Sequence, residues 1–471
     1  MVLSALPLSL LLPWGTLPGL SGLLGCTRPA PQETQQDSED SEDSEDTKDS
    51  DPDDTQAPEI GNVLVVIADD VGLDSAACYN LSSDPVRMPN VELLCSRGVR
   101  FERAWTTPIC SPTRATMLSG TDPAIHGVLR AHTAGAPALP DGTVTLATLA
   151  SEAGIATASF GKWHLGDDPG VGAATPNHFG WQHFSGLLTG GVQSYWSWQR
   201  TENGLTGIST TYTTTSLVDD AVIWVDQQEG PWLMWMAFNA PRPPYHVPPE
   251  ALHTDSTLGP TGDCPPGESR ACYVAALEAL DSEMGRLIDH IETRGELDNT
   301  LIFFVGDNGT ENDVVVDPVV PAKGKASLFE GGIRIPFVVA GPGVAQGQVA
   351  AGITDATDLL PTLMDYWDLP VPEQAQGVSL LGTLADPSVA SGKEYVFSGY
   401  LADPLKGNNG WTLANQDYKL LHFENGARLL FKTSEDPWET NNLLPTEDAE
   451  LLAIYEELNA ELVRRKAAGG F

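Results

Sequence analysis

The chain has 471 residues, with 64 acidic against 25 basic side chains and a formal net charge of −39. That length fits one large α/β domain with an appendage, or two to three ordinary domains. A hydrophobic fraction of 41% excludes wholesale disorder, and the charge excludes a nucleic-acid partner and adsorption to anionic lipid, both of which need a basic surface.

Taken from the N-terminus, residues 2–25 are almost wholly apolar but carry Pro7, Pro13 and Pro18, which interrupt a spanning helix. The stretch ends in Leu23-Leu24-Gly25-Cys26, which reads as a secretion signal over 1–26 with a lipobox-like end and Cys26 as the lipid-modified residue. No Lys or Arg precedes the apolar stretch, so an ordinary cleaved signal peptide is the alternative. Residues 27–58 form an acidic tether: twelve acids and one lysine fall within 31–57, where like charges repel and nothing is available for burial. These features predict an exported protein, periplasmic or at the cell surface and held to a membrane by a lipid anchor, or secreted if not lipidated.

Asn62–Ala68 is a continuous apolar run rich in β-branched residues, predicting a strand buried on both faces, and it stops at Asp69-Asp70. A helix-compatible approach leads to Cys110-Ser111-Pro112-Thr113-Arg114. A second buried strand, Trp232–Phe238, stops at Asn239-Ala240-Pro241. Apolar residues at helical spacing predict a helix over Tyr273–Ile291, and a third strand, Leu301–Val305, stops before Asp307-Asn308-Gly309. Strands alternating with helices predict an α/β sheet with its site at the C-terminal strand ends, in a domain over 59–385. Residues 386–471 change character: strand-like pieces at Lys393–Phe397 and Tyr418–Leu421 precede an amphipathic helix from Asp448 to Arg465, a smaller α+β subdomain.

Cys110-x-Pro112-x-Arg114 resembles the signature of the sulfatases, in which the cysteine becomes formylglycine. Asp69-Asp70, Gly161-Lys162-Trp163-His164-Leu165-Gly166, Asp307-Asn308-Gly309 and Lys325–Pro336 are similar to further elements of that family, in family order. Asp358-Leu359-Leu360-Pro361-Thr362 and Asp436-Pro437-Trp438-Glu439 echo it in the C-terminal part. The resemblance implies an alkaline-phosphatase-like fold, a large mixed, mostly parallel sheet flanked by helices, and hydrolysis of aryl or carbohydrate sulfate monoesters. It also implies a formylglycine-generating maturase as a partner.

The residue chemistry agrees independently. Asp69, Asp70, Asp307 and Asn308 are hard oxygen donors, a set that selects Ca²⁺ or Mg²⁺ over zinc. The resemblance implies one Ca²⁺ per chain, with Mg²⁺ the alternative and modified Cys110 a further ligand. Arg114, Lys162, His164 and Lys325 lie in the same motifs and would form with the metal a trap for an anion.

By resemblance, hydrated formylglycine at Cys110 attacks sulfur, Asp307 accepts the nucleophile's proton and Arg114 holds the hydrate. The alcohol leaves a sulfate ester behind, and a second hydroxyl then expels sulfate with His164 as base. Lys162 and Lys325 bind the sulfate.

One position departs from the pattern. Arg242, in Ala240-Pro241-Arg242-Pro243-Pro244-Tyr245-His246, stands where the family has a proton-donating histidine. Guanidinium binds anions but is a poor acid. Lys325 as sole acid, His246 swinging in, an acidic leaving group, and weak or absent activity all remain open. So do two other classes of function, a phosphate or phosphonate ester hydrolase and a lipoprotein that only binds sulfated glycans. Cys264 with Cys272, and Cys78 with Cys95, are candidate disulfides, and Trp181, Tyr195, Trp196 and Trp198 are candidates either for stacking on substrate or for packing a loop.

Overall fold

The computed structural model describes residues 60–133, 138–166, 170–402 and 409–471. The expected leader, Cys26 and the acidic tether lie outside the described residues.

Strands β1 (Asn62–Ala68), β2 (Gly98–Trp105), β3 (Ala156–Lys162), β4 (His183–Leu187), β5 (Trp198–Glu202), β6 (Leu205–Ser209) and β7 (Trp232–Ala237) belong to one large sheet. A short hairpin of β8 (His246–Val247) and β9 (Gly262–Asp263) follows, and β10 (Thr300–Gly306), β11 (Phe337–Ala340) and β12 (Gln348–Asp355) complete the sheet. Its order is β12-β2-β11-β10-β1-β7-β3-β4-β5-β6. The centre, β10-β1-β7-β3-β4, is parallel throughout, whereas β11 and the β5–β6 hairpin run antiparallel to their neighbours.

Every residue of β1 is buried, and alternation divides them between two cores. Leu64, Val66 and Ala68 join the cluster under the helix Ser269–Thr293, and Val63, Val65 and Ile67 join the opposite one. This double burial is why the strand lacks a polar alternation. The segment approaching Cys110 is a strand, β2, where a helix-compatible approach was expected. Val99, Phe101 and Trp105 lie buried on it and it pairs with β11 and β12, so sheet pairing overrides the local pattern.

The C-terminal region carries an antiparallel sheet of β13 (Val396–Tyr400), β14 (Gly410–Ala414), β15 (Lys419–Phe423) and β16 (Arg428–Phe431). The helix Ala449–Ala468, capped by the Asp448 side chain, buries Leu458 and Leu462 against Trp411, Leu413 and Leu420 of that sheet.

Candidate active site

Three neighbouring parallel strands, β10, β1 and β7, release their chains at one end of the sheet, where side chains of different loops can meet without covering one another. β1 delivers Asp69 and Asp70, β10 delivers Asp307 and Asn308, and β7 leads to Arg242. β3 ends on Lys162, with His164 just beyond. Cys110 is the first residue of helix α1 (Cys110–Ser119), and Arg114, one turn later, projects from the same helix.

Cys110 Sγ lies 3.3 Å from Asp69 Oδ1 and 3.8 Å from Asp70 Oδ1. Lys162 Nζ donates to both Asp69 oxygens, at 2.7 and 2.6 Å. Arg114 donates to Asp307 Oδ2 at 2.8 Å and to the Lys162 carbonyl at 2.7 Å, joining α1, β10 and β3. Lys325 Nζ reaches Asp70 Oδ2 at 2.6 Å, and the Arg242 Nε stands 3.7 Å from the same oxygen. Asp70 and His164 both hold left-handed backbone, at φ 67° and 60°, a conformation that side-chain-bearing residues rarely adopt outside constrained sites.

Ligand atoms of Asp69, Asp70, Cys110 and Asp307 all lie within 4.8 Å of one another. Asn308 Nδ2 donates to Asp70 Oδ1 at 2.9 Å, whereas its buried Oδ1 has no hydrogen-bond partner. An orphaned amide oxygen beside clustered carboxylates fits a hard divalent cation, which would satisfy it.

Burial and neighbouring charge set the protonation states. Burial pushes Asp69 up to about 7 against the pull of Lys162. Burial also acts on Asp70, but Lys325, Lys162 and Arg242 outweigh it and hold that carboxyl below the usual range. The Cys110 thiol is pushed up by burial and by Asp307 and Asp69, so an unmodified Cys110 would be a protonated, weakly nucleophilic thiol. His164 is held well below its ordinary value by burial and by Lys162, Arg114 and Arg242, so it is neutral. Its Nε2 lies 3.2 Å from the His132 carbonyl and must donate there, which leaves the lone pair on the buried Nδ1.

His246 does not join this cluster. Its ring stacks on Tyr195 at 3.7 Å, Nε2 meets the Tyr212 hydroxyl at 2.9 Å and Nδ1 faces the Pro244 carbonyl. With both nitrogens engaged and the ring buried, it is a packing group and not a mobile acid. Its stacking partner backs the Arg242 loop, because the Tyr195 hydroxyl lies 2.8 Å from the carbonyls of both Asn239 and Arg242. Trp181 is buried in one core and Tyr195 and Trp198 in the other, so these three rings pack and present no face to substrate, whereas Trp196 is half-buried and stacks on Tyr212.

Several site residues were not foreseen. Glu311 accepts from Lys325 Nζ at 2.7 Å. Ser111 Oγ donates to the His164 carbonyl at 2.7 Å and accepts from the His132 backbone at 2.9 Å. Gly190 and Gly191 lie against the site so closely that an added Cβ would come within 2.3 Å of His164 Nε2 and 2.0 Å of an Arg242 terminal nitrogen. The paired glycines and the placement of Ser111 inside the Cys110 motif were the available signals. The four remaining described-region cysteines pair as Cys78–Cys95 and Cys264–Cys272, and Cys110 is the free, buried one.

The sulfatase family model matches residues 61–369, and that of the C-terminal region of N-sulphoglucosamine sulphohydrolase matches 324–468. The chain is 24% identical over 438 residues to an ulvan-active sulfatase of Formosa agariphila, covering 88% of this chain and 82% of the relative. It is 28% identical over 443 residues to arylsulfatase A of Bos taurus, covering 82% and 84%. Among solved structures, Ps i-CgsB in complex with k-i-k-neocarrahexaose has the same fold, with a TM-score of 0.77 at 23% identity over 87% of this chain and 94% of that one. The matched family model spans the metal-ligand candidates, the cysteine motif and the lysine loop alike, and the chain belongs to the sulfatase family of sulfuric ester hydrolases.

Proposed function

We propose that the chain hydrolyses sulfate monoesters with Cys110, oxidised to formylglycine by a maturase and hydrated, as its nucleophile. The observation that carries this reading is the position of Cys110 Sγ, 3.3 Å from Asp69 at the start of a helix, within a cluster that leaves a plain thiol protonated. Asp69, Asp70, Asp307 and Asn308 would hold one divalent cation, Ca²⁺ by the hardness and number of its oxygen donors, with Mg²⁺ the alternative. When bound, it would lower the pKa of the attacking hydroxyl and neutralise charge on the sulfuryl oxygens.

The chain's own groups account for the remaining steps. Arg114 fixes Asp307 in place as the acceptor of the nucleophile's proton. Lys162, Lys325 and Arg242 surround the place where the sulfuryl charge develops. His164, neutral with its lone pair on Nδ1, is suited to take the proton released when sulfate is expelled. With His246 locked in the packing, Lys325 is the proton donor to the leaving oxygen, and Arg242 binds the anion.

Export is supported by the two disulfides, which persist in oxidising compartments, and by the apolar leader. A lipid on Cys26 with the acidic segment as spacer would place the enzyme on a membrane surface.

The test is the mass of the Cys110 peptide from a host with the maturase, together with turnover of nitrophenyl sulfate and nitrophenyl phosphate. Formylglycine with faster sulfate turnover is expected. An unmodified thiol with full activity would overturn the mechanism, and faster phosphate turnover would favour the reading that Arg242 serves a phosphoryl dianion.

A further inference from the structure

A cavity of about 350 Å³ lies beside the catalytic cluster, a size at the lower end of ligand clefts. Its near wall is built from His132, whose carbonyl accepts from His164, and from Leu188 and Thr189, which lead into the Gly190 that packs on the same ring. Its far wall is the β5–β6 hairpin, contributing Gln199, Thr201 and Thr206. The cavity therefore begins at His132, which meets the catalytic histidine through its carbonyl, and runs along one face of the β5–β6 hairpin.

The period of the strand sorts charge away from this face. Along β5, Arg200 and Glu202 point to the side opposite Gln199 and Thr201, and Arg200 is paired there with Asp220 at 2.8 Å and Glu202 at 3.1 Å. Among the described residues, the cavity is lined by hydroxyls, one amide, one imidazole and two leucines, with no carboxylate, ammonium, guanidinium or large aromatic ring. Thr201 and Thr206 share a hydrogen bond across the hairpin at 2.8 Å, which fixes their hydroxyls on one wall. Gln199 is exposed, and its amide has no partner among the described residues.

These groups both donate and accept, which suits a polyol whose hydroxyls do the same. Among the described lining residues a uronate or a second sulfate would find no cation to pair with and would lose hydration without compensation. Among the described residues no aromatic ring lines the cavity, so a bare aryl ring would find no stacking partner there.

We infer that this cavity is the seat of the leaving group, and that the leaving group is an uncharged saccharide unit whose sulfate ester is its one anionic substituent. This rests on the sulfatase reading above. The β5–β6 hairpin is then the specificity-determining element, and Gln199 and Thr206 are its contact residues.

The experiment compares kcat/KM on a methyl galactoside sulfate, a glucuronate sulfate and nitrophenyl sulfate, for the mature wild-type enzyme and for the double variant Gln199→Leu/Thr206→Val. The wild type is expected to favour the galactoside over the glucuronate. The variant is expected to lower the galactoside-to-aryl ratio of kcat/KM at least tenfold, mostly through KM. A wild-type preference for the glucuronate, or an unchanged ratio in the variant, would overturn the inference while leaving the sulfatase reading intact. If no sulfate ester is turned over, that reading falls instead. Calorimetric binding of the galactoside sulfate to wild type and variant then decides the cavity's role, and equal affinities would overturn it.

Discussion

Two regions of this molecule bury several charges together, and they do so in opposite ways. At the catalytic cluster, three aspartates meet Arg114, Lys162, Lys325 and Arg242, with Asn308 Oδ1 orphaned and Asp70 and His164 in left-handed backbone. In the C-terminal sheet, Lys419 is fully buried, pairs with Glu330 at 2.9 Å and Glu439 at 2.8 Å, and lies 4.7 Å from the centre of the Trp105 ring. Glu439 Oε2 also accepts from the Glu330 backbone, and its carbonyl accepts from Lys323, so the charges of the group are met from within it. The first cluster leaves the Asn308 amide oxygen unsatisfied beside carboxylates that could hold a metal ion. The second spends its bonds joining β15 and the Asp436–Glu439 motif to the loop that carries Lys325. Removing one member should therefore cost activity in the first and stability in the second.

The largest expected effect lies in the first region. Cys110→Ala removes the proposed nucleophile, and turnover of nitrophenyl sulfate should fall to the uncatalysed background while Tm moves little. Retention of more than a small fraction of wild-type kcat would show that Cys110 is not the reacting group. His164→Ala should cost about 10²–10⁴-fold in kcat, the usual range for a positioned base. Gly190→Ala tests the same residue indirectly. The new Cβ would displace the imidazole, so kcat should fall without a matching loss of thermal stability.

Lys419→Met should reverse the pattern. It removes the ammonium that Glu330 and Glu439 share, leaving Arg334 and Arg103 as the remaining cations near Glu330, and breaking a buried pair costs roughly 3–5 kcal/mol. The expected readout is a fall in Tm of several degrees. The folded fraction should keep its KM, and kcat should drop only as far as the Lys325 loop loosens. Adding Glu439→Gln to that background should recover part of the stability. A Tm equal to wild type in the single variant would show that the ion group contributes nothing net.

The sequence exposed the catalytic region more fully than the C-terminal one, for a physical reason. Asp69, Cys110, Lys162 and Asp307 sit at the ends of short apolar strands or in dense motifs, so chemistry and element boundary coincide. The pairing of Lys419 with Glu330 spans 89 positions and has no local pattern. The start of β13 at Val396, three residues into the run that suggested it, reflects pairing with β14 and not the propensity of Lys393-Glu394. β2 escaped for the same reason. His246 was legible as a histidine near a departure from the family pattern, but the stacking on Tyr195 that disposes of it brings together residues 51 positions apart, a relation no local reading contains.

That buried histidine yields the smallest effect, and it sharpens the contrast because His164 and His246 are both neutral for different ends. Burial holds His246 at about 4, below the ordinary imidazole value of 6.5. Above the ordinary value the ring is neutral in folded and unfolded chains alike and stability is unaffected. As pH falls below it, the unfolded chain takes up a proton that the folded one refuses, so stability declines by up to about 1.4 kcal/mol per pH unit until the folded ring protonates. His246→Gln retains an acceptor for the Tyr212 hydroxyl but cannot titrate. Its unfolding free energy should therefore depend less steeply on pH between 6.5 and about 4 than that of the wild type, by about one proton. Denaturant titrations across that window give the slope directly. Parallel curves for the two proteins would mean that His246 protonates in place, and that the stacking on Tyr195 does not hold it neutral.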